Sequence, residues 1–371
     1  MTPPVLDRRE LNRALLARQH LLAPADLTPE ELITHLIGLQ AQATDPPYYG
    51  LWTRLPQARP EQLTALVEQR RAVRLGLQRA TIHLVTAEDC LRLRPLFRPV
   101  LEQNLRGSRG RLLAGLDLDA LTDRGRALVE EQPRTFQELG ELLGAAHPDR
   151  DPAALAQVLR ARLALVQVPP RGLWRTGGAA AHTTAEQWLG RPLDSGADQE
   201  AVREELALRY LAAFGPATAA DLQKWSGLTR MAPVLTRLRD RLAEFRDERG
   251  RVLHDLPDAP RPDAGTAVPV RLVAPFDNLL LSHADRSRVL AEEHRTRVMT
   301  VNGLVAGTVL VDGFVAGTWQ VVRERDRAAA VLRPFAALGR ADRAAAGVEA
   351  ERLLDFAAPE AAAREVRFEE P

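Results

Sequence analysis

Apolar residues recur every three or four positions over residues 6–22, with Leu11, Leu15 and Leu22 on one side, and that period predicts an amphipathic helix. A second helix is expected from Thr28, whose spacing to Glu31 is that of a capping box, with Leu32, Leu36 and Leu39 as its inward stripe. It runs into Gln40 and Gln42 before the Pro46-Pro47 break. On a regular helix two residues that far apart point about 200° away from each other, so the two amides converge only if the last turn frays. Helices over 50–55 and 60–71 follow. The pattern then changes to alternation over 72–86, which predicts two short strands around Gln78 and Arg79. Helices leading into a hairpin is the order of a winged helix.

The order recurs. A connecting helix over 87–105 and a flexible Gly-Ser-Arg-Gly-Arg stretch lead to helices at 117–131, 135–145 and 152–163, then to a wing built from Val166, Val168 and a partner ending at Thr184. A third cycle places helices at 199–213, 218–226 and 229–240 before a hairpin turning at Glu248–Gly250. A Pro/Asp/Gly linker covers 257–269. Beyond it the chain becomes β-rich, with hairpin signals at Asn302-Gly303 and Asp312-Gly313, a helix over 340–356 and a last strand near Val366. The expected fold is α+β: three tandem winged-helix domains (1–86, 87–198 with its connecting helix, 199–257) and a small C-terminal β-rich domain (258–371).

Composition narrows the function. The chain has 371 residues with a formal net charge of +1, so charge alone does not announce a nucleic-acid partner. Its cations are arginines apart from Lys224, and they are dense at 92–111, 171–175 and 237–251, the last two on predicted helices or wings where phosphate contact is the usual use. The single Cys90 excludes an internal disulfide and a Cys-rich metal site. With no long apolar run and no secretory leader the protein is expected to be cytoplasmic and off the membrane, and the eight histidines show no metal spacing, so neither metal nor cofactor is expected. Dinucleotide, phosphate-loop, nucleophile-elbow and zincin motifs are absent.

Four segments then carry a resemblance: LIGLQAQ followed by PPYYGLWTRL (36–55), LQRATIHLVTAEDCLRLRP (77–95), PFDNLLLSHADRSRVL (275–290) and TVLVDGFVAGTW (308–319). In this collinear order they resemble the AlkZ/YcaQ family of bacterial winged-helix DNA glycosylases, and Gln40-Ala41-Gln42 resembles the Gln-x-Gln motif of its AlkZ-like branch. The resemblance implies a C-shaped scaffold around duplex DNA, acting as a monomer. It also implies monofunctional excision of alkylated purines, N7-alkyl adducts above all, and in some members unhooking of interstrand cross-links. Gln40 and Gln42 are then the catalytic pair.

The motif residues invite further assignments to DNA or the lesion. Tyr48, Tyr49 and Trp52 could wall an open lesion cleft or form local core, and no deep base pocket is expected. Arg79, Thr81 and His83 alternate along one strand face and are assigned to phosphates or the attacking water. Asp277, Asn278, His283 and Arg286 are assigned to the DNA backbone or to docking between domains, and Asn302-Gly303 to a tip that probes a groove. Two other classes fit the same modules: a non-catalytic winged-helix DNA-binding protein such as a transcriptional regulator, and a protein-binding scaffold.

Overall fold

The computed structural model describes residues 3–371. Its strands, in chain order, are β1 (Val5–Leu6), β2 (Leu39–Gln40), β3 (Ala72–Gly76), β4 (Ile82–Thr86), β5 (Arg134–Thr135), β6 (Leu165–Gln167), β7 (Ala181–Thr184), β8 (Ala243–Asp247), β9 (Val252–Asp255), β10 (Arg271–Val273), β11 (Gly307–Val311), β12 (Phe314–Glu324), β13 (Arg327–Pro334) and β14 (Ala363–Phe368). They form three sheets, ordered β1-β8-β9, β2-β4-β3-β6-β7-β5 and β10-β11-β12-β13-β14.

Most predicted helices are present within a few residues of their expected ends: Arg8–Arg18, Pro60–Glu68, Leu118–Glu131, Phe136–Gly144, Pro152–Arg162, Gln199–Phe214, Ala219–Ser226, Met231–Arg237 and Arg340–Ala357. Reciprocal capping boxes start several of them, at Asp7 with Glu10, Thr28 with Glu31, Thr135 with Glu138 and Thr218 with Asp221, each satisfying backbone N–H groups that have no partner inside the helix. Asp312 and Gly313 turn β11 into β12 with φ of 48° and 82°, the left-handed pair that a two-residue hairpin needs. The helix expected over 50–55 is Pro46–Trp52, and the connecting helix continues to Arg109, into the stretch expected to be flexible, where a 3₁₀ turn over Gly110–Leu113 follows.

Three features depart from the sequence reading. The helix begun at Thr28 ends at His35, and the chain reverses through Ile37 (φ 55°) and Gly38 (φ 94°) into β2, so Gln40 lies on a strand and not at a helix end. A side chain at Gly38 is impossible, because its Cβ would stand 2.6 Å from Val85 Cγ1 and 2.9 Å from the Leu84 carbonyl. The first two wings are not separate hairpins: β3 pairs antiparallel with β6, Arg74 opposite Gln167 and Leu75 opposite Val166, giving one six-stranded sheet. The start of the chain also joins the third wing, where β1 pairs in parallel with β8, and the first helix follows it through the buried Arg18–Asp255 ion pair.

The cores are shared between modules. One apolar cluster joins the helix Pro46–Trp52 to β11 through β13 and the helix Arg340–Ala357, so the first wing and the C-terminal β-rich region are built on common side chains. A second runs from the first helix through the connecting helix and the third helical group to Val315, while the 118–165 segment packs on the end of the connecting helix at Leu101 and Leu105 in a third. Among the described residues no helix is long and apolar enough to cross a membrane.

Candidate active site

β2 is the element on which the site is built. The strand ends at Gln40 and the chain bends at Gln42, and β4 brings the two glutamines to one strand: Gln40 faces His83, and Gln42 reaches the Ile82 amide. Gln40 lies opposite His83 in the antiparallel pair β2–β4, and the Ala41 amide donates to the Ile82 carbonyl at 2.8 Å. Past that point the ladder is finished by a side chain: the Ile82 amide donates to Gln42 Oε1 at 3.0 Å. Gln40 is buried, and Gln42 is exposed.

Gln40 Oε1 accepts from Arg79 Nη2 at 2.7 Å. Because both partners of the two glutamines are obligate donors, the amide orientations are determined: the carbonyls face the protein and the NH₂ groups face away. Arg79 also donates through Nη1 to the Trp225 carbonyl at the last turn of Ala219–Ser226, where the helix dipole favours a cation, and lies 3.4 Å from His83 Nε2. Burial lowers the Arg79 pKa to about 10, with Arg286 adding to the shift, so the guanidinium stays charged at neutral pH.

His83 is fully buried, and burial together with Arg79 holds its pKa well below 6.5. Its Nδ1 lies 3.2 Å from the Thr81 carbonyl, so that nitrogen carries the proton and Nε2 presents its lone pair to Arg79. His83 is therefore a neutral acceptor tying Arg79 in place. The expected strand face of Arg79, Thr81 and His83 does not exist as such: Arg79 and Ala80 sit in a tight turn with φ of 54° and 57°, and Thr81 Oγ1 is turned back onto the Gln78 carbonyl.

Remote amides hold the turn before β2. Gln78 Nε2 donates to the Ile37 carbonyl at 2.9 Å, and Asn278 Nδ2 donates to the Gly38 carbonyl at 3.0 Å. Arg74 Nη2 donates to the Ala41 carbonyl at 2.7 Å, pinning the backbone between the two glutamines. The sequence reading missed Arg74 and Trp225 as site-building residues. Gly38, following an apolar run, was a legible helix terminator.

The remaining assigned residues lie in other surroundings. Tyr48, Tyr49 and Trp52 belong to an aromatic cluster with Trp174, Trp319 and Phe356 that joins the first wing to the C-terminal region; the Tyr48 and Tyr49 rings lie 4.8 and 5.5 Å from Trp174. Trp52 and Trp174 open onto a cleft of ≈ 580 Å³ that also carries Phe356 and Arg352. Asp277 is buried and accepts both Arg54 Nη groups at 2.8 Å, so it docks modules and does not face DNA. His283 is buried between Ser282 Oγ and the Phe214 carbonyl. Arg286 is half-buried, with Nε donating to the Leu280 carbonyl. Asn302 and Gly303 form an exposed tight turn above the Met299–Val305 bridge, flanked by the exposed Val301 and Leu304.

The arginine-rich stretches are largely neutralised. Arg237 pairs with Glu200 and Glu204, Arg249 and Arg251 with Asp285, and Arg175 with Glu360, so these cations have partners already.

Comparison with known proteins adds the lineage. A family model described as "DNA glycosylase AlkZ-like" matches residues 33–356. A curated protein of Streptomyces sahachiroi, "Interstrand DNA cross-link repair glycosylase", is 34% identical over 134 residues; the match spans 34% of this chain and 35%, about a third, of that protein's length. The solved structure of Streptomyces sahachiroi DNA glycosylase AlkZ superposes with a TM-score of 0.79 at 22% identity, covering 98% of this chain and 100% of the other, a likeness of fold.

Proposed function

The chain belongs to the AlkZ-like family of DNA glycosylases, and from that premise we propose that it hydrolyses the N-glycosidic bond of alkylated, cationic purines in duplex DNA, cross-linked adducts included. The observation that carries the reading is the pair Gln40 and Gln42 at the end of an edge strand, with their carbonyls fixed by Arg79 and the Ile82 amide. In this reading three winged-helix units and the C-terminal β-rich region form one concave scaffold around the duplex.

An N7-alkylated purine already bears positive charge, so its base departs without protonation. What remains is to place a water and to stabilise the oxocarbenium-like sugar. A carbonyl oxygen has two lone pairs, and each glutamine uses one of them on the protein. The second accepts a water proton, which turns the water's own lone pair towards the sugar. Arg79 draws electron density from the Gln40 carbonyl, so its part is to fix orientation and not to raise basicity. The departing purine takes the electron pair of the broken C–N bond, and with His83 held neutral the proton given up by the attacking water passes to bulk water and not to a group of the cluster.

The competing reading, a winged-helix DNA-binding protein without chemistry, is favoured by one fact: both glutamine carbonyls already have protein partners. An assay for abasic sites on N7-methylguanine duplex separates the two. Wild type is expected to release the base and Gln40→Ala/Gln42→Ala to lose most of that rate. An inactive wild type that still binds duplex in a salt-sensitive way would leave the binding protein standing.

A further inference from the structure

The arginine-dense connecting helix divides into two halves with different electrostatics. In its first half Arg92 pairs with Asp194 and Glu205, Arg98 pairs with Glu102, and Arg94 is buried on the carbonyls of Ala161 and Leu163. In its last turns Arg106 and Arg109 meet no carboxylate among the described residues, and neither does Arg111 just beyond. Arg109 lines a pocket of ≈ 190 Å³ together with Arg160, Asn104, Ser108 and Gln157.

No acid lines this pocket, whereas the cleft beside Trp174 mixes Arg59, Arg175 and Arg352 with Glu61, Asp355 and Glu360. Arg160 is half-buried, and its one hydrogen bond from Nη2 is a long 3.4 Å contact to the Ala80 carbonyl. Burial lowers its pKa, and no neighbouring charge offsets that loss of solvation. A partly desolvated guanidinium without a counter-ion is unfavourable unless something else supplies the anion.

The helices Ala87–Arg109 and Pro152–Arg162 both end at this pocket, and each helix C-terminus contributes roughly half a negative charge. The two guanidiniums in the wall, Arg109 and Arg160, outweigh that total, so the pocket remains positive. Its wall residue Ala80 directly follows Arg79, which grips Gln40.

The geometry points to a binding site for a DNA backbone phosphate in this pocket, held by the forked donors of Arg109 and Arg160 with the Asn104 and Gln157 amides as neutral donors. It rests on the reading that the chain binds duplex DNA. A phosphate seated here anchors the strand one residue along the backbone from the group that orients the catalytic amide. It also brings negative charge to a region where Arg79, Arg286 and a cationic lesion would otherwise repel one another. Arginines bonded to carboxylates stay out of the contact, because binding DNA would mean breaking their ion pairs first.

The test is equilibrium binding of undamaged duplex by fluorescence anisotropy across salt concentrations, with the full chain. One phosphate contact is worth about 0.9 in the slope of log K against log salt. Arg109→Gln/Arg160→Gln is therefore expected to flatten the slope by about one and weaken binding about tenfold near 0.1 M salt. Arg98→Gln, which removes a paired cation, should leave the slope unchanged, and Arg160→Lys should retain most of it. Arg109→Gln alone, at a helix end, keeps the test valid if loss of Arg160 disturbs folding. A wild-type slope in the double variant and in Arg109→Gln, or an equal fall in Arg98→Gln, overturns the site. Undamaged duplex keeps this result separate from excision: a flattened slope in a chain that excises nothing supports the pocket while the glycosylase reading fails.

Discussion

Arg79 Nη2 donates to Gln40 Oε1 at 2.7 Å, and the same guanidinium bonds the Trp225 carbonyl at the end of a helix in the third helical group. Residues 146 positions apart are thereby joined through one side chain to the candidate catalytic amide. Arg79→Ala should lower the single-turnover excision rate by about 10–100-fold, the range of a lost charge-assisted hydrogen bond, with little change in DNA affinity. Added guanidinium should restore part of the rate. Arg79→Lys should not, because an ammonium lacks the fork that reaches both acceptors. A fall in affinity with the rate intact would show instead that Arg79 acts on the DNA.

Gly227 supports the same turn from the far side. At φ +81° its Cβ would come within 3.1 Å of the Arg79 nitrogen and 3.2 Å of the Arg79 Cα. Gly227→Ala is expected to destabilise the fold by about 1–3 kcal/mol, read by urea unfolding, and to slow excision because the Arg79 turn must move. Wild-type stability and rate in this variant would mean that the turn has slack.

Arg54 and Asp277 form a fully buried fork at 2.8 Å, and Arg54 also donates to the Gln19 and Gly50 carbonyls. Removing either partner leaves an uncompensated buried charge, so Asp277→Ala should lose about 3–5 kcal/mol. Calorimetry checks this. If Asp277 served DNA instead, the variant would melt like wild type and bind duplex more weakly.

Acid should loosen the structure through its buried histidines. Burial lowers His283 to about 3 and His182 to about 4, and His83 lies well below 6.5. The unfolded chain takes up protons near 6.5 that the folded chain refuses. The stability held above that pH is therefore lost as the pH falls towards the folded values, by about 1.4 kcal/mol per pH unit for each fully buried histidine. Urea midpoints at pH 7.5 and 5.5 test it, the second being lower. Excision itself should be flat between about pH 6.5 and 8.5, since the glutamines do not titrate and Arg79 stays charged to about 10. A rate that follows a group titrating near neutrality would argue for a general base.

The motif residues show where legibility stops. Asp277 and Asn278 stand out in the sequence as a polar pair in an apolar run, but their partners, Arg54 and the Gly38 carbonyl, lie 223 and 240 positions away. Nothing local distinguishes a carboxylate that meets DNA from one that meets a buried guanidinium. The same holds for Tyr48, Tyr49 and Trp52, whose aromatic partners come from Trp174, Trp319 and Phe356. It holds too for the arginines of 237–251, whose acids come largely from other elements, Glu200, Glu204 and Asp285 among them.

By itself the sequence determined whatever depends on near neighbours: the capped helix starts, the tight turn at Asp312-Gly313, the order of helices and hairpins, and the lineage its collinear motifs carry. Tertiary structure decided that Gln40 lies on a strand, because a two-residue strand has no period to read and exists only through its pairing with β4. It likewise decided that two wings become one sheet and which arginines keep their charge free. Each of these outcomes depends on a partner brought from far along the chain, and local propensity is silent about partners that only packing supplies.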